Sequence, residues 1–130
     1  MDKKQVLSAF NDQFKEFVED IHLVFPDNDD IATVSETLIM LRKQNPRLLL
    51  IAFNKYVVER YRTHIEAGNI NFFIDKDYKN DLSDVGTAKI ILEKIDCLRE
   101  PIREMKPDEQ NKVVNYMKNL VLLSDLYLKN

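Results

Sequence analysis

Two segments place candidate metal ligands at spacings that known metal sites use. Glu19 and His22 lie three residues apart, which puts a carboxylate and an imidazole on one helix face, as in carboxylate-bridged di-metal bundles. Those sites need a second such motif, but the other histidine, His64, has Tyr61 at the corresponding position. We therefore interpret His22 as an ordinary residue at a helix surface or boundary, with a metal site as the alternative.

Residues 75–86, DKDYKNDLSDVG, have aspartates at the first and third positions of an EF-hand calcium loop. Lys79 stands at the fifth position, Asn80 replaces the glycine that makes the turn, and Gly86 replaces the bidentate glutamate. Because three important positions fail, we expect a solvated surface loop. No cofactor or metal is predicted.

Nucleophilic catalysis has few candidate groups in this sequence. Cys97 falls in a strongly helical segment near its apolar stripe, where a cysteine usually packs as a small hydrophobic residue. There is no serine in a glycine-flanked elbow and no glycine-rich phosphate loop. We predict that the protein is not an enzyme. A single cysteine also predicts a reducing, intracellular location.

One basic group is interleaved with aromatic residues, a pattern that can track a nucleic-acid strand. Its charges fall at helix ends and on the outer side of a helix, and the whole chain has a net charge of -3. A solvated face is the favoured interpretation, and weak nucleic-acid binding is the alternative. The group comprises Arg42, Lys43, Arg47, Lys55, Arg60 and Arg62, with Tyr56 and Tyr61 among them.

Five apolar or aromatic residues stand where a small domain has difficulty covering them. Phe72, Phe73 and Tyr78 surround the polar loop, and Tyr127 and Leu128 lie at the C-terminal end. Exposed clusters of this kind mark partner surfaces. We predict these five as partner-binding residues. The alternative for Phe72 and Phe73 is a satellite core under the loop.

The elements that would position these residues are helices. The chain of 130 residues has only two glycines and four prolines, which suits long helices with short joints. Apolar spacing predicts helices over about 4–25, 31–43 and 85–105, the last broken near Arg99 by Pro101, and a final helix from Pro107. Gly68 is predicted as a left-handed helix cap.

The stretch 46–60 is apolar on nearly every side, and Pro46 follows Asn45 in the arrangement that starts a helix. A helix of this kind must be covered by its neighbours. We therefore predict an all-α fold, in which residues 1–130 form a single domain. This domain would be a bundle of five to six helices around the central helix. The longest apolar run, 48–53, is too short to span a membrane, so we expect a soluble protein.

Five sequence segments of the chain resemble segments of small, uncharacterised helical proteins from large nucleocytoplasmic DNA viruses of algae and amoebae. They are FNDQF at 10–14, FPDNDDI at 25–31, NPR at 45–47, IEAGNINFFIDKDY at 65–78 and IDCLREP at 95–101. Relatives carry a proline near Tyr61 that is missing here, which leaves a break at that point open. The resemblance implies a virion or virus-factory protein and supplies no site residues.

These observations together predict a non-enzymatic structural or interaction protein. The resemblance implies a minor capsid or capsid-associated protein whose partners are viral capsid or other virion proteins, with homo-oligomerisation as a further option. Its location would be the virion, or the host cytoplasm or virus factory during infection. The alternatives are an intracellular adaptor or regulator that binds a host or viral protein, and a weak nucleic-acid-binding protein.

Overall fold

The chain is built from helices joined by short turns. The computed structural model describes residues 2–75 and 89–129, and within these ranges there is no strand. The all-α single-domain bundle predicted from sequence is confirmed. The helices are α1 Lys3–Val24, α2 Asp29–Gln44, α3 Leu48–Phe53, α4 Glu59–Glu66, α5 Asn71–Asp75, α6 Lys89–Asp96, α7 Arg99–Glu104 and α8 Pro107–Lys129.

Side-chain caps set where the first two helices begin. Asp2 accepts a hydrogen bond from the Gln5 amide, and the Gln5 side chain accepts one from the Asp2 amide, which completes a capping box at α1. Asn28 accepts the Ile31 amide at 3.2 Å and caps α2. Helix α2 therefore begins two residues before the predicted Ile31.

The two longest helices, α1 and α8, pack against each other in antiparallel orientation. The Lys3 ammonium lies 4.9 Å from the Tyr127 ring at one end, and Phe17 stacks on Tyr116 nearer the other. Tyr116 also donates a hydrogen bond to Asp20. This pairing forms one wall of the core.

The predicted central helix is present, but it is less regular than expected. Helix α3 begins at Leu48, because the Asn45 side chain accepts the Arg47 amide and makes a turn around Pro46. A π-helical turn, Asn54–Val58, joins α3 to α4. Most side chains of α3 and of the π-helical turn are buried, as predicted for the central helix. The backbone kinks at Tyr61 (φ -129°, ψ 19°) without a proline.

Two helices end where the sequence predicts a helix end. Gly68 adopts φ +74° directly after α4, and the Gly68 and Asn69 amides donate to the Ile65 and His64 carbonyls. This is the Schellman arrangement that a glycine allows at low steric cost. Helix α6 ends before α7 begins at Arg99, so the break predicted from Pro101 is confirmed.

Candidate functional site

The structure corrects part of the predicted partner surface. Phe73 is only 2% exposed and Tyr127 only 7% exposed, so both side chains belong to the core and neither can contact a partner in this fold. Leu128 is 48% exposed and stays available. The side chain of Phe72 and the whole of Tyr78 lie outside the described residues. A candidate partner-binding surface must therefore be sought at other residues.

Two further leucines of α8 are exposed on a different side of the helix from Leu128. Leu122 is 59% exposed and Leu126 is 42% exposed, and their spacing of four residues places them on the same side of the helix. Lys118 and Lys129, also exposed, flank them along this side. We call Leu122, Leu126 and these two lysines the outer face of α8. Single exposed leucines are common, so it is the adjacency of this pair that makes the outer face a candidate contact surface.

A groove between α4 and α8 adjoins the outer face and shares Lys118 and Leu122 with it. Its volume is about 290 Å³. Ile65 and Val121 are buried and form an apolar floor, while charged side chains of both signs form the rim. We call this the α4–α8 groove; it is lined by Ile65, Glu66, Lys118, Val121, Leu122 and Asp125.

An ion pair fixes the two helices that form this groove. Arg62 donates hydrogen bonds to both carboxylate oxygens of Asp125, at 2.8 and 2.7 Å, and its guanidinium lies 3.7 Å from Glu66. A bidentate contact of this kind holds both side chains in one geometry. The hydrogen bonds from Arg62 keep the pKa of Asp125 below its ordinary value, against the opposing effect of burial.

We expect Asp125→Asn to lower the free energy of unfolding by about 1 kcal/mol at neutral pH, since the contact is charge-assisted but partly screened by solvent. The lowered pKa means that this stabilisation is present above about pH 5 and is lost as the pH falls through the folded-state pKa. Urea unfolding across this range measures the difference. Asp27→Asn, an exposed carboxylate in the α1–α2 turn, is the control. A difference that persists in strong acid would contradict the ion-pair explanation.

A buried polar contact lies elsewhere in the interface of the central helix with α8. The Asn54 side-chain amide, at the start of the π-helical turn, donates to the Ser124 hydroxyl at 2.9 Å. Both side chains are buried. Sequence analysis missed this contact, although Asn54 is a neutral polar residue within the apolar stretch. A satisfied buried contact of this kind aligns two helices because a shifted packing would leave the amide unpaired.

Ser124→Ala is expected to lower the free energy of unfolding by about 1 to 3 kcal/mol, because the buried Asn54 amide loses its acceptor. Chemical denaturation measures this loss. The double variant Asn54→Leu, Ser124→Ala serves as the control and should lose less than the sum of the two single changes. Wild-type stability for Ser124→Ala would show that another group satisfies the amide.

The candidate catalytic and metal-binding residues lie apart from these surfaces. His22 Nε2 lies 3.2 Å from the Pro26 carbonyl oxygen, to which it can donate a hydrogen bond. Cys97 is half-buried, and burial raises the pKa of its thiol. No group of three or more potential metal ligands occurs in residues 2–75 and 89–129. The loop compared with an EF-hand lies almost entirely outside these ranges.

The basic group predicted from sequence is divided among separate contacts. Arg42 donates to Asp12 at 2.7 Å and also to Ser8, while Arg62 is paired with Asp125 as described above. Lys55 and Arg60 lie 5.3 and 5.5 Å from the centre of the Tyr56 ring. Several of these cations thus interact within the fold, which weakens the case for one nucleic-acid surface.

Comparisons with known proteins identify no relative of this chain. No protein-family model, curated protein or solved structure matches the chain. The resemblance to proteins of large DNA viruses therefore stays a prediction made from short sequence phrases. No helix in the described part of the chain is long and apolar enough to cross a membrane.

Proposed function

We propose that the protein is a non-enzymatic interaction protein that binds another protein through the outer face of α8 and the adjoining α4–α8 groove. The observation that supports this most directly is the exposed pair Leu122 and Leu126 beside a groove with an apolar floor. Burying such a pair on a partner removes apolar surface from water. The Arg62–Asp125 contact joins α4 to α8 before binding, which reduces the ordering cost.

The partner proposed from the sequence resemblance is a viral capsid or other virion protein, with the chain as a minor capsid or capsid-associated component. A second copy of the chain is a further candidate for the same surface. Both kinds of partner use apolar contact with a polar rim, which the two flanking lysines and the groove carboxylates supply. An adaptor that binds a host or viral protein inside the infected cell would use the same surface.

Quantitative mass spectrometry of purified virus particles tests whether the protein is a virion component. It counts copies of the chain relative to the major capsid protein. We expect a fixed copy number for the wild type and a drop of about tenfold for the double variant Leu122→Ser, Leu126→Ser. Leu23→Ser is the matched control, since Leu23 is exposed at the end of α1. Absence of the wild type from particles would remove the virion proposal and leave the adaptor.

Self-association and nucleic-acid binding are separated by two further measurements. Sedimentation velocity of the same leucine variants tests the homo-oligomer, because loss of a dimer in the double variant alone would place the interface on α8. Retention on immobilised DNA tests the nucleic-acid alternative. Phosphate contacts release counterions, so true binding would weaken steeply as salt rises.

A further inference from the structure

A second groove lies between α1 and α2, away from the surface just described. Leu38 of α2 and Leu49 of α3 are buried and form its floor, and Ile39 stands exposed at its edge. Its volume is about 150 Å³. Beside it, the buried Asn11 donates to the Pro46 carbonyl at 2.9 Å and ties the start of the central helix to α1. The groove is therefore a formed feature of the fold.

The charged side chains that line this α1–α2 groove are all basic. Lys15, Arg42 and Lys43 line it, and none of its lining residues carries a carboxylate. The α4–α8 groove, in contrast, mixes Glu66 and Asp125 with a lysine. A locally basic groove is unexpected in a chain with a net charge of -3. Charge complementarity therefore selects an anionic occupant.

The cations differ in how far the fold already neutralises them. Lys43 is exposed and forms no ion pair or hydrogen bond with the residues that the structure describes. Lys15 lies 3.7 Å from Glu19, and both side chains are about half exposed, so this pair is weak. Arg42 is held more firmly by Asp12 at 2.7 Å. Lys43 and Lys15 are thus the cations available to a ligand.

The size and lining of the groove define the class of ligand. Its volume lies below the roughly 300 to 1,000 Å³ of small-molecule and cofactor pockets, but it has room for one or two apolar side chains. An amphipathic helix delivers such side chains at positions i and i+4 of one face. We propose that the α1–α2 groove binds an acidic amphipathic helix of a partner protein, with leucine or isoleucine on the Leu38–Leu49 floor and carboxylates on Lys43 and Lys15.

This inference goes beyond the proposed function, because it concerns other helices and shares no residue with the α8 surface. The chain would then have two separate binding surfaces. One surface has charges of both signs beside its apolar residues, and the other has an apolar floor lined only by basic charged side chains. A protein with both could join two different partners.

Fluorescence anisotropy with synthetic helices tests the proposal on the full chain. The probe is a fluorescein-labelled amphipathic peptide with leucines at i and i+4 and flanking glutamates; its comparison peptide has lysine at every glutamate position. We expect the glutamate peptide to bind and the lysine peptide not to bind. Binding should weaken as salt rises, because screening reduces attraction between exposed charges.

Variants of the protein locate the site. Lys43→Glu and Ile39→Ser are each expected to weaken binding of the glutamate peptide about tenfold. The matched controls Lys112→Glu and Leu23→Ser make the same chemical changes outside both proposed surfaces and should leave the affinity unchanged. All four positions are exposed, so none of these changes removes a core side chain.

Three results would overturn the proposal. The first is no binding of the glutamate peptide at low salt. The second is an equal loss for Lys43→Glu and Lys112→Glu, which would mean that net charge alone attracts the peptide. The third is equally strong binding of a single-stranded oligonucleotide that Lys43→Glu abolishes, which would make the groove a nucleic-acid contact.

Discussion

Replacing Phe14 by alanine is expected to lower the free energy of unfolding by about 3 to 5 kcal/mol, the usual cost of truncating a buried phenylalanine. The Phe14 ring lies 5.8 Å from that of Phe53, edge to face, and contacts Phe10 and Phe17 on its own helix. The change would remove one of two aromatic contacts between α1 and the central helix, the other being Phe10 with Phe53 at 5.8 Å, and leave a cavity. Domains of this size are stable by about 5 to 15 kcal/mol, so the variant should be severely weakened.

Urea unfolding followed by circular dichroism measures the effect. Phe14→Leu is the matched control, because it keeps most of the apolar volume and should lose clearly less stability. Leu126→Ser, an exposed position on α8, should change stability only slightly. Equal midpoints for wild type and Phe14→Ala would mean that the aromatic cluster is not the core of this protein.

Replacing Phe73 by serine is expected to have the second-largest effect, about 3 to 5 kcal/mol, since the change empties a buried site and introduces a hydroxyl group there. Helix α5 contacts α7, and Arg103 donates to the Ile74 carbonyl at 2.9 Å. Phe73 is therefore the apolar part of a small interface that also has a polar contact. Without the ring, α5 should detach and expose its buried neighbours.

This variant also separates the two interpretations made from the sequence. A partner-binding Phe73 predicts weaker assembly with normal helicity, whereas a core Phe73 predicts loss of helical signal and a lower urea midpoint. Asn71→Ser, an exposed residue on the same helix, is the control and should leave both signals unchanged. A fully stable Phe73→Ser protein would contradict the burial seen in the structure.

Helix type and order could be predicted from the sequence because they depend on local patterns. Apolar residues every three or four positions, few glycines, and Pro107 at the start of α8 each act within one or two turns. Gly68 and the break before Arg99 were predictable for the same reason, since one residue's backbone preference decides each. The caps were less certain, because Asn28, Asp29 and Asp30 can all cap a helix.

The candidate surfaces depended on tertiary structure. Whether Phe73 and Tyr127 are covered is decided by α7 and by the antiparallel pairing of α1 with α8, which no local spacing encodes. Lys15 and Lys43 meet at one groove only because α1 and α2 pack side by side, and Asn54 meets Ser124 across 70 positions of sequence. Sequence alone determined an all-α chain with an apolar central helix. Packing decided which apolar side chains stay exposed, because burial depends on neighbours distant in the chain.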